Sequence, residues 1–112
     1  MTTQGSERKL AAIMFTDMVG YSALAQRNEA LALVLLAEHQ VQLRPLFVQH
    51  GGREIKTTGD GFLVEFGSAL QAVRCAIAIQ RGLVELNAST AVERRFQVQI
   101  AAINGLFGPG LT

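Results

Sequence analysis

The sequence Arg53-Glu-Ile-Lys-Thr-Thr-Gly-Asp-Gly-Phe-Leu-Val-Glu-Phe66 contains two runs of strand-forming residues on either side of Gly59-Asp60-Gly61. After the glycines, phenylalanine and valine alternate with other residue types, which is the period of a strand with unequal faces. Asp and Gly between two such runs are typical of a tight hairpin turn. We therefore predict two strands, Arg53–Thr58 and residues 62–66, that form a hairpin.

The segment before this hairpin predicts a strand, a short helical turn and a long helix. Residues 10–16 form a continuous apolar run, typical of a strand buried on both faces. Ser22 is placed to cap the short turn, and Asn28 to cap the long helix, which is expected to end before Gly51-Gly52. Pro45 lies inside the long helix and is expected to kink or split it, because proline lacks an N–H donor and clashes with the preceding turn.

The segment after the hairpin predicts a second long helix and a last strand. Ser68 is a favourable cap for a helix that reaches about Leu86, and residues 87–90 are expected to form a loop. Residues 96–103 are predicted to form the strand. The Gly- and Pro-rich stretch that follows, residues 104–112, is expected to be an irregular tail.

Both predicted helices carry apolar residues at helical spacing. In the first long helix these residues are Val34, Ala37, Val41 and Val48, with Leu36, Leu43 and Phe47 beside them, and in the second they are Leu70, Val73, Ile77 and Val84.

The predicted order β-α-β-β-α-β indicates the α+β class: a ferredoxin-like core with an antiparallel sheet and two helices on one face. Because crossover connections are right-handed, the third strand is expected to lie between the first and the second. The end of the first strand and the hairpin turn then share one edge of the sheet. Asp17 and Asp60 are both at that edge.

Length and composition indicate a single domain over residues 1–112, with a flexible N-terminus over residues 1–8. Of the 112 residues, 49% are apolar and 17% are charged, which excludes a disordered chain. A formal net charge of +1, without a basic stripe, argues against nucleic acid as a partner. The longest apolar run, residues 30–37, is too short to span a bilayer. We therefore expect no membrane segment and a cytoplasmic location.

The two aspartates have the chemistry of a site for hard divalent cations. Mg²⁺ prefers oxygen ligands, usually one or two carboxylates together with substrate phosphates, and tight turns present backbone N–H groups to a polyphosphate. A purely structural role is the alternative, since Asp60 before a glycine is a common turn signal and Asp17 is able to cap the helical turn that follows it. Spacing alone leaves both interpretations open.

Two separated segments resemble the signature motifs of the class III nucleotidyl cyclases, the adenylate and guanylate cyclase catalytic domains. They are Phe15-Thr-Asp-Met-Val-Gly-Tyr-Ser22 and, after the long helix, Glu54-Ile-Lys-Thr-Thr-Gly-Asp-Gly-Phe-Leu63. The flanking Leu43-Arg-Pro-Leu-Phe47 and His50-Gly-Gly-Arg-Glu54 are similar to bacterial members of the family. The resemblance covers residues 8–98.

The resemblance implies an adenylate cyclase that converts ATP into cyclic AMP and pyrophosphate, by attack of the ribose 3′-oxygen on the α-phosphate. It implies that Asp17 and Asp60 hold two Mg²⁺ (or Mn²⁺) ions, with the backbone carbonyl of Met18 as a further ligand. The ions would lower the pKa of the attacking hydroxyl and neutralise charge that develops on the phosphate.

The resemblance also implies how the substrate is bound. The backbone of Gly20, Tyr21 and Ser22 would hold the triphosphate. Lys56 matches the lysine that reads adenine in adenylate cyclases, whereas guanylate cyclases usually have glutamate at that position. In this family one protomer supplies the aspartates and its partner supplies the lysine, so a homodimer, or pairing with another cyclase domain, is expected.

The C-terminal segment departs from the family pattern. Ala101 stands where the family has glycine, and no acidic residue follows Gly105. The residues that stabilise the transition state in the family lie farther along the domain, so we expect the chain to hold a partial domain, truncated at its C-terminus. Loss of such contacts costs orders of magnitude in rate. The alternative function is therefore a catalytically silent module that dimerises or binds nucleotide.

The remaining candidates are expected to have no part in catalysis. His39 and His50, both on the first long helix, are expected to be surface or packing residues, and Cys75 to be a small buried apolar residue. A ferredoxin-like RNA-binding module is a further alternative by fold alone, which 6% aromatic residues and an even charge disfavour.

Overall fold

The computed structural model describes residues 9–107. Its elements are β1 (Lys9–Met18), α1 (Tyr21–Arg27), α2 (Glu29–Gln49), β2 (Arg53–Thr58), β3 (Gly61–Phe66), α3 (Ala69–Ala88), a 3-10 turn at Val92–Arg94 and β4 (Val98–Phe107). The flexible N-terminus predicted for residues 1–8, and the last five residues of the predicted irregular tail, lie outside the described part of the chain.

The four strands form one antiparallel sheet in the order β2-β3-β1-β4. β3 lies between β1 and β2, as the crossover rule predicts, and the ferredoxin-like α+β class is confirmed. The main core joins α2 and α3 to one face of the sheet. Its buried members include Met14, Phe62, Val64 and Phe66 from the sheet, Leu35, Leu43 and Phe47 from α2, and Cys75, Ile79 and Leu83 from α3.

Two of the three predicted helix caps are confirmed. The Asn28 side chain accepts a hydrogen bond from the Leu31 N–H at 3.1 Å, and Ser68 Oγ accepts one from the Gln71 N–H at 3.1 Å. The prediction for Ser22 is wrong: α1 begins at Tyr21, directly after Gly20, whose φ of 71° is in the left-handed region. A glycine takes this conformation without strain, so the chain turns there and Ser22 falls inside the helix.

α2 runs without interruption through Pro45, so the predicted split of this helix is wrong. Leu43 and Phe47, on either side of the proline, are both buried in the core. The packing of these two large side chains fixes the turn that contains Pro45, although the proline removes one backbone hydrogen bond.

β4 extends four residues beyond its predicted end, so the first part of the expected irregular tail belongs to the sheet. Asn104 pairs with Ala12, and the pairing continues to Phe107 opposite Lys9. Because β1 begins at Lys9 and is ten residues long, it offers backbone hydrogen bonds to the whole of this segment, and Gly105 is accommodated within the ladder. Pairing with a long neighbour therefore outweighs the weak strand propensity of Asn and Gly.

The loop predicted at residues 87–90 also begins later than expected. α3 continues to Ala88, and Asn87 is a buried residue of its last turn. The Asn87 Nδ2 donates a hydrogen bond to the Phe96 carbonyl at 2.9 Å, so this amide ties the end of α3 to the segment that leads into β4.

Most of the apolar residues at the predicted helical spacing do not pack on the sheet, although Leu43 and Phe47, named beside the first set, are buried in the core. Val41 and Val48 of α2 are 75% and 76% exposed, and Leu70, Val73, Ile77 and Val84 of α3 are all exposed as well. The buried residues are instead Ala32, Leu35, His39, Leu43 and Phe47 in α2, and Ala72, Cys75, Ile79, Leu83 and Asn87 in α3. Both helices are apolar on more than one side, so spacing alone did not distinguish the core face.

α2 has the length and apolarity at which a helix is able to cross a membrane, although the longest run without polar residues is short. By length and composition alone, such a span cannot be told from the core helix of a soluble protein. In this structure α2 packs its buried residues against the sheet, which is the position of a core helix.

His39 is buried in this core, 1% exposed, with its ring stacked on Phe62 at 5.1 Å between centroids and edge-on to Phe96 at 6.2 Å. Among the described residues neither ring nitrogen has a partner of normal hydrogen-bond geometry. Burial lowers the pKa of His39; the nearby Asp60 carboxylate opposes this shift, Arg44 adds to it, and the Leu36 backbone has the smallest effect. The packing role expected for this histidine is confirmed.

Stability is therefore predicted to fall as the pH is lowered from 7.5 to 5.5. The pKa of His39 is lower in the folded chain than in the unfolded chain, so the unfolded chain binds more protons as the pH falls through about 6.5, the ordinary value for histidine, and unfolding is favoured. His39→Phe should reduce this pH dependence, measured as the shift in urea midpoint between the two pH values. His50→Gln is the control. An equal shift in urea midpoint in His39→Phe and in the unsubstituted chain would contradict the prediction.

Candidate active site

The register between β1 and β3 brings the two aspartates together at one end of the sheet. Asp17 lies opposite Gly61, the residue after Asp60. The Met18 N–H donates to the Asp60 carbonyl at 3.1 Å, which ties the hairpin turn directly to the end of β1. These are the only two aspartates in the sequence, and the shared edge predicted for them is confirmed.

Gly61 is required for this register because β1 approaches its backbone closely. A Cβ atom built on Gly61 would lie 1.7 Å from the Thr16 carbonyl oxygen and 2.7 Å from the Thr16 carbonyl carbon. Both contacts are to backbone atoms, which cannot move aside as a flexible side chain would. Only glycine therefore allows β3 to pair with β1 at the height of the aspartates.

Thr16 holds the same junction from the other strand. Its side chain is buried, and its Oγ1 accepts a hydrogen bond from the Phe62 N–H at 3.0 Å. Thr16 lies between Phe15 and Asp17 in a quoted motif, but sequence reasoning assigned it no role. Its position before an aspartate gave no signal, because the partner is a backbone N–H from a distant segment.

Asp17 projects from the face of the sheet opposite α2 and α3, which we call the second face. Ala12, Met14 and Met18 are part of the core with the helices. The residues that alternate with them, including Phe15 and Asp17, therefore point the other way. Asp17 is exposed and Asp60 is half-buried. Among the side chains that the structure describes, residues 11–102, neither carboxylate takes part in an ion pair.

The residues present fit a cation that is completed by substrate. The described residues contain no group of three or more His, Cys, Asp or Glu side chains able to hold a metal ion. An exposed and a half-buried carboxylate, outside the ion pairs of the described side chains, are instead the donor set of a Mg²⁺ site that takes its other ligands from phosphates and water. The Met18 side chain is buried in the core, so only its backbone is available to a ligand.

The predicted phosphate-binding residues lie directly after Asp17 and Met18. Gly20 precedes α1, and Tyr21 and Ser22 are its first two residues. The start of a helix presents backbone N–H groups that lack intrahelical partners, and these favour an anion. The structure therefore places all three residues next to the aspartate edge.

Lys56 lies on β2, two strands away from Asp17, so their backbones are separated by two strand spacings, about 10 Å. Its side chain is exposed, and its partner across the ladder is Leu63, which in turn lies opposite Phe15. Partners across an antiparallel ladder project from the same face. Lys56 therefore points from the second face, as Asp17 does, without joining the aspartate pair.

The other sequence candidates stay outside this site. Cys75 is fully buried in α3, and burial raises the pKa of its thiol to about 11, so it is an inert apolar residue as expected. His50 ends α2, and its Nδ1 lies 2.8 Å from the Leu46 carbonyl. The His50 side chain therefore contacts the backbone of the last turn of α2.

The chain belongs to the adenylate and guanylate cyclase family. The sequence profile of the "Adenylate and Guanylate cyclase catalytic domain" matches residues 4–107. The chain is 39% identical over 120 residues to the "Putative adenylate cyclase 3" of Rhizobium meliloti strain 1021, covering 99% of this chain and 20% of that protein. It is 30% identical to a receptor-type adenylate cyclase of Trypanosoma congolense, covering 87% of this chain and 14% of that one.

Solved structures agree with this assignment. The adenylate/guanylate cyclase/hydrolase of Silicibacter pomeroyi superimposes with a TM-score of 0.78 at 36% identity, covering 94% of this chain and 66% of that one. A bacterial light-regulated adenylyl cyclase gives a TM-score of 0.82 at 18% identity, covering 88% and 55% of the two chains, which shows the shared fold. The chain thus spans a fifth or less of these curated relatives and about two-thirds or less of these solved domains.

Gly61→Ala is predicted to destabilise the fold by about 3 kcal/mol or more, because the new methyl group overlaps a backbone carbonyl and forces β1 and β3 apart. Gly67→Ala is the matched control: its methyl group would meet only the Gln71 side chain at 3.6 Å, and we expect a change within about 0.5 kcal/mol. Urea unfolding of both variants measures the difference. Equal stability of the two would contradict the close approach.

Proposed function

We propose that this chain is the nucleotide-binding part of an adenylate cyclase that forms cyclic AMP and pyrophosphate from ATP. The observation that carries the proposal is the register that sets both aspartates of the chain, exposed or half-buried and without ion pairs among the described residues, at one sheet edge. Family membership and the named adenylate cyclase relatives support it.

In this proposal Asp17 and Asp60 hold two Mg²⁺ or Mn²⁺ ions, with the Met18 carbonyl as a further ligand. When bound, the ions supply a lowered pKa for the ribose 3′-hydroxyl and charge neutralisation at the α-phosphate. The first turn of α1 orients the triphosphate through Gly20, Tyr21 and Ser22. The 3′-oxygen loses its proton and forms the new bond to the α-phosphorus, and pyrophosphate leaves with the electrons of the bond that breaks.

Lys56 is proposed to read the adenine base in the site of a partner chain. Its distance from Asp17 across two strands, and its exposure on the same face, suit a lysine that works across a dimer rather than within its own site. The second face also exposes Phe15, 44% accessible, next to Asp17 in β1, and aromatic side chains are enriched where proteins contact partners.

A silent module that binds nucleotide without turnover is the alternative. One observation favours it: the described residues hold no group of three or more His, Cys, Asp or Glu side chains able to bind a metal ion without substrate. Turnover and binding therefore have to be measured on the same samples.

Asp17→Asn and Asp60→Asn are each predicted to abolish cyclic AMP formation with Mn²⁺, a loss of at least about a hundredfold, because each removes a charged ligand. Glu93→Gln, which removes an exposed carboxylate elsewhere, should leave the rate unchanged. Product from the unsubstituted chain supports the cyclase. Mn²⁺-dependent ATP binding without product supports the silent module. If the chain neither forms product nor binds ATP, both functions are contradicted.

A second prediction tests the shared site. Asp17→Asn and Lys56→Ala should each be inactive alone, and an equal mixture should recover about a quarter of the original activity, because half of random dimers are mixed and one of their two sites is intact. Rates of cyclic AMP formation before and after mixing provide the measurement. Dimers that form without recovered activity would show that both residues act within one chain.

A further inference from the structure

The Arg44 side chain of α2 is hydrogen-bonded to two side chains of the edge strand β2, those of Glu54 and Thr57. Its Nε donates to Glu54 Oε1 at 3.0 Å, and its Nη2 donates to Glu54 Oε2 at 3.1 Å and to Thr57 Oγ1 at 3.4 Å. Thr57 Oγ1 in turn donates to Glu54 Oε2 at 2.9 Å. The guanidinium carbon lies 5.2 Å from the centroid of the Phe62 ring. We call this set of contacts the Arg44 clamp.

The clamp requires an irregularity in β2. Glu54 and Thr57 are three residues apart, and in a regular strand residues at that spacing point to opposite faces. The ladder between β2 and β3 shifts by one residue between Glu54 and Lys56, so Ile55 is an extra, bulged residue. The bulge places both Glu54 and Thr57 on the helix side of the sheet, where Arg44 reaches them.

The same bulge decides where Lys56 points. Glu54 lies opposite Val64 and Thr57 opposite Phe62, which are both core residues on the helix side. Lys56 therefore pairs with Leu63 and projects from the second face, on which Asp17 also lies. A slip of one residue in this ladder would turn Lys56 towards the helices and the core.

We propose that Arg44 is a positioning residue for Lys56: by gripping Glu54 and Thr57 together it fixes the bulge at Ile55, and so keeps the Lys56 side chain on the second face. This inference rests on the proposed function only for the role of Lys56 in reading the base. The placement of Lys56 itself depends on the clamp alone.

The hydrogen bonds of the Arg44 clamp fix the positions of Glu54 and Thr57 relative to each other. A guanidinium that binds both oxygens of one carboxylate fixes direction as well as distance. The hydrogen bonds from Arg44 hold the pKa of Glu54 below its usual range, against the opposing effect of burial, and the bond to Thr57 adds to the lowering. Glu54 therefore stays charged at neutral pH, and its hydrogen bonds with Arg44 are kept.

The test compares Arg44→Gln with Arg94→Gln, which breaks an exposed arginine–glutamate pair elsewhere in the described part of the chain, Arg94–Glu38 at 3.1 Å. A charge-swapped variant, Arg44→Glu with Glu54→Arg, restores the pair in reverse. NMR spectra of each chain report whether the cross-strand backbone contacts of Lys56 are still made to Leu63. Titration with ATP and GTP in the presence of Mn²⁺ reports the preference between the bases, with Lys56→Ala as the reference for its loss.

In Arg44→Gln we expect the Lys56–Leu63 contacts to weaken or shift register, and the preference for ATP to fall about tenfold, towards that of Lys56→Ala, the change expected for one charged hydrogen bond. Arg94→Gln should keep both, and the charge swap should recover part of each. A merely stabilising arginine would lower the urea midpoint without changing the base preference.

The outcomes separate this inference from the proposed function. Unchanged Lys56–Leu63 contacts in Arg44→Gln would overturn the inference, whether or not the chain binds nucleotide. Shifted contacts in a chain that binds neither nucleotide would uphold the positioning of Lys56 while the proposed function failed. A base preference that survives in Arg44→Gln although the contacts have shifted would overturn the link between the clamp and specificity.

Discussion

The close approach of Gly61 to the Thr16 backbone is the constraint on which the rest of the site depends. Because no side chain separates β3 from β1 at this point, the Asp60 turn meets the end of β1, and the Met18 N–H reaches the Asp60 carbonyl. Thr16 secures the same junction with its hydroxyl. A pair of carboxylates that are far apart in sequence is thereby held together by backbone geometry, before any ligand arrives.

The two faces of the sheet carry different kinds of residues. α2 and α3 bury one face with apolar side chains, and the buried His39 ring of α2 stacks there on Phe62, two residues after Asp60. The second face carries Asp17 and Lys56. Period-two alternation assigns successive residues of β1 to the two faces, so Thr16 supports the turn on the helix side while its neighbour Asp17 projects from the second face. In β2, where alternation alone would not suffice, the bulge at Ile55 makes the same assignment for Lys56.

Much of this architecture was predictable because it depends on local signals. Asn28 and Ser68 cap helices through hydrogen bonds within their own turn, and the turn predicted between β2 and β3 is found at Gly59-Asp60, with Gly61 as the first residue of β3. The pairing of Asp17 with Asp60 at one edge followed from strand order alone. These features need no knowledge of what packs against them.

The features that sequence reasoning missed depend on distant partners. α2 and α3 have apolar residues on several sides, so only the packed sheet shows that Leu35 and Ile79, rather than Val41 and Ile77, face the core. β4 continues to Phe107 because β1 is there to pair with it. The Thr16 hydroxyl joins two segments 46 residues apart, and the Arg44 clamp joins a helix to the strand that follows it. No local pattern marks such contacts, since each partner alone is an ordinary polar residue.

The central claim is that Asp17 and Asp60 form one cation site that a nucleotide completes. The most direct test is to count Mn²⁺ ions bound per chain, by electron paramagnetic resonance, with and without an ATP analogue that cannot react. We expect weak Mn²⁺ binding without nucleotide and two tightly bound ions per chain with it, both lost in Asp60→Asn. Absence of nucleotide-dependent binding, or binding that survives in Asp60→Asn, would contradict it.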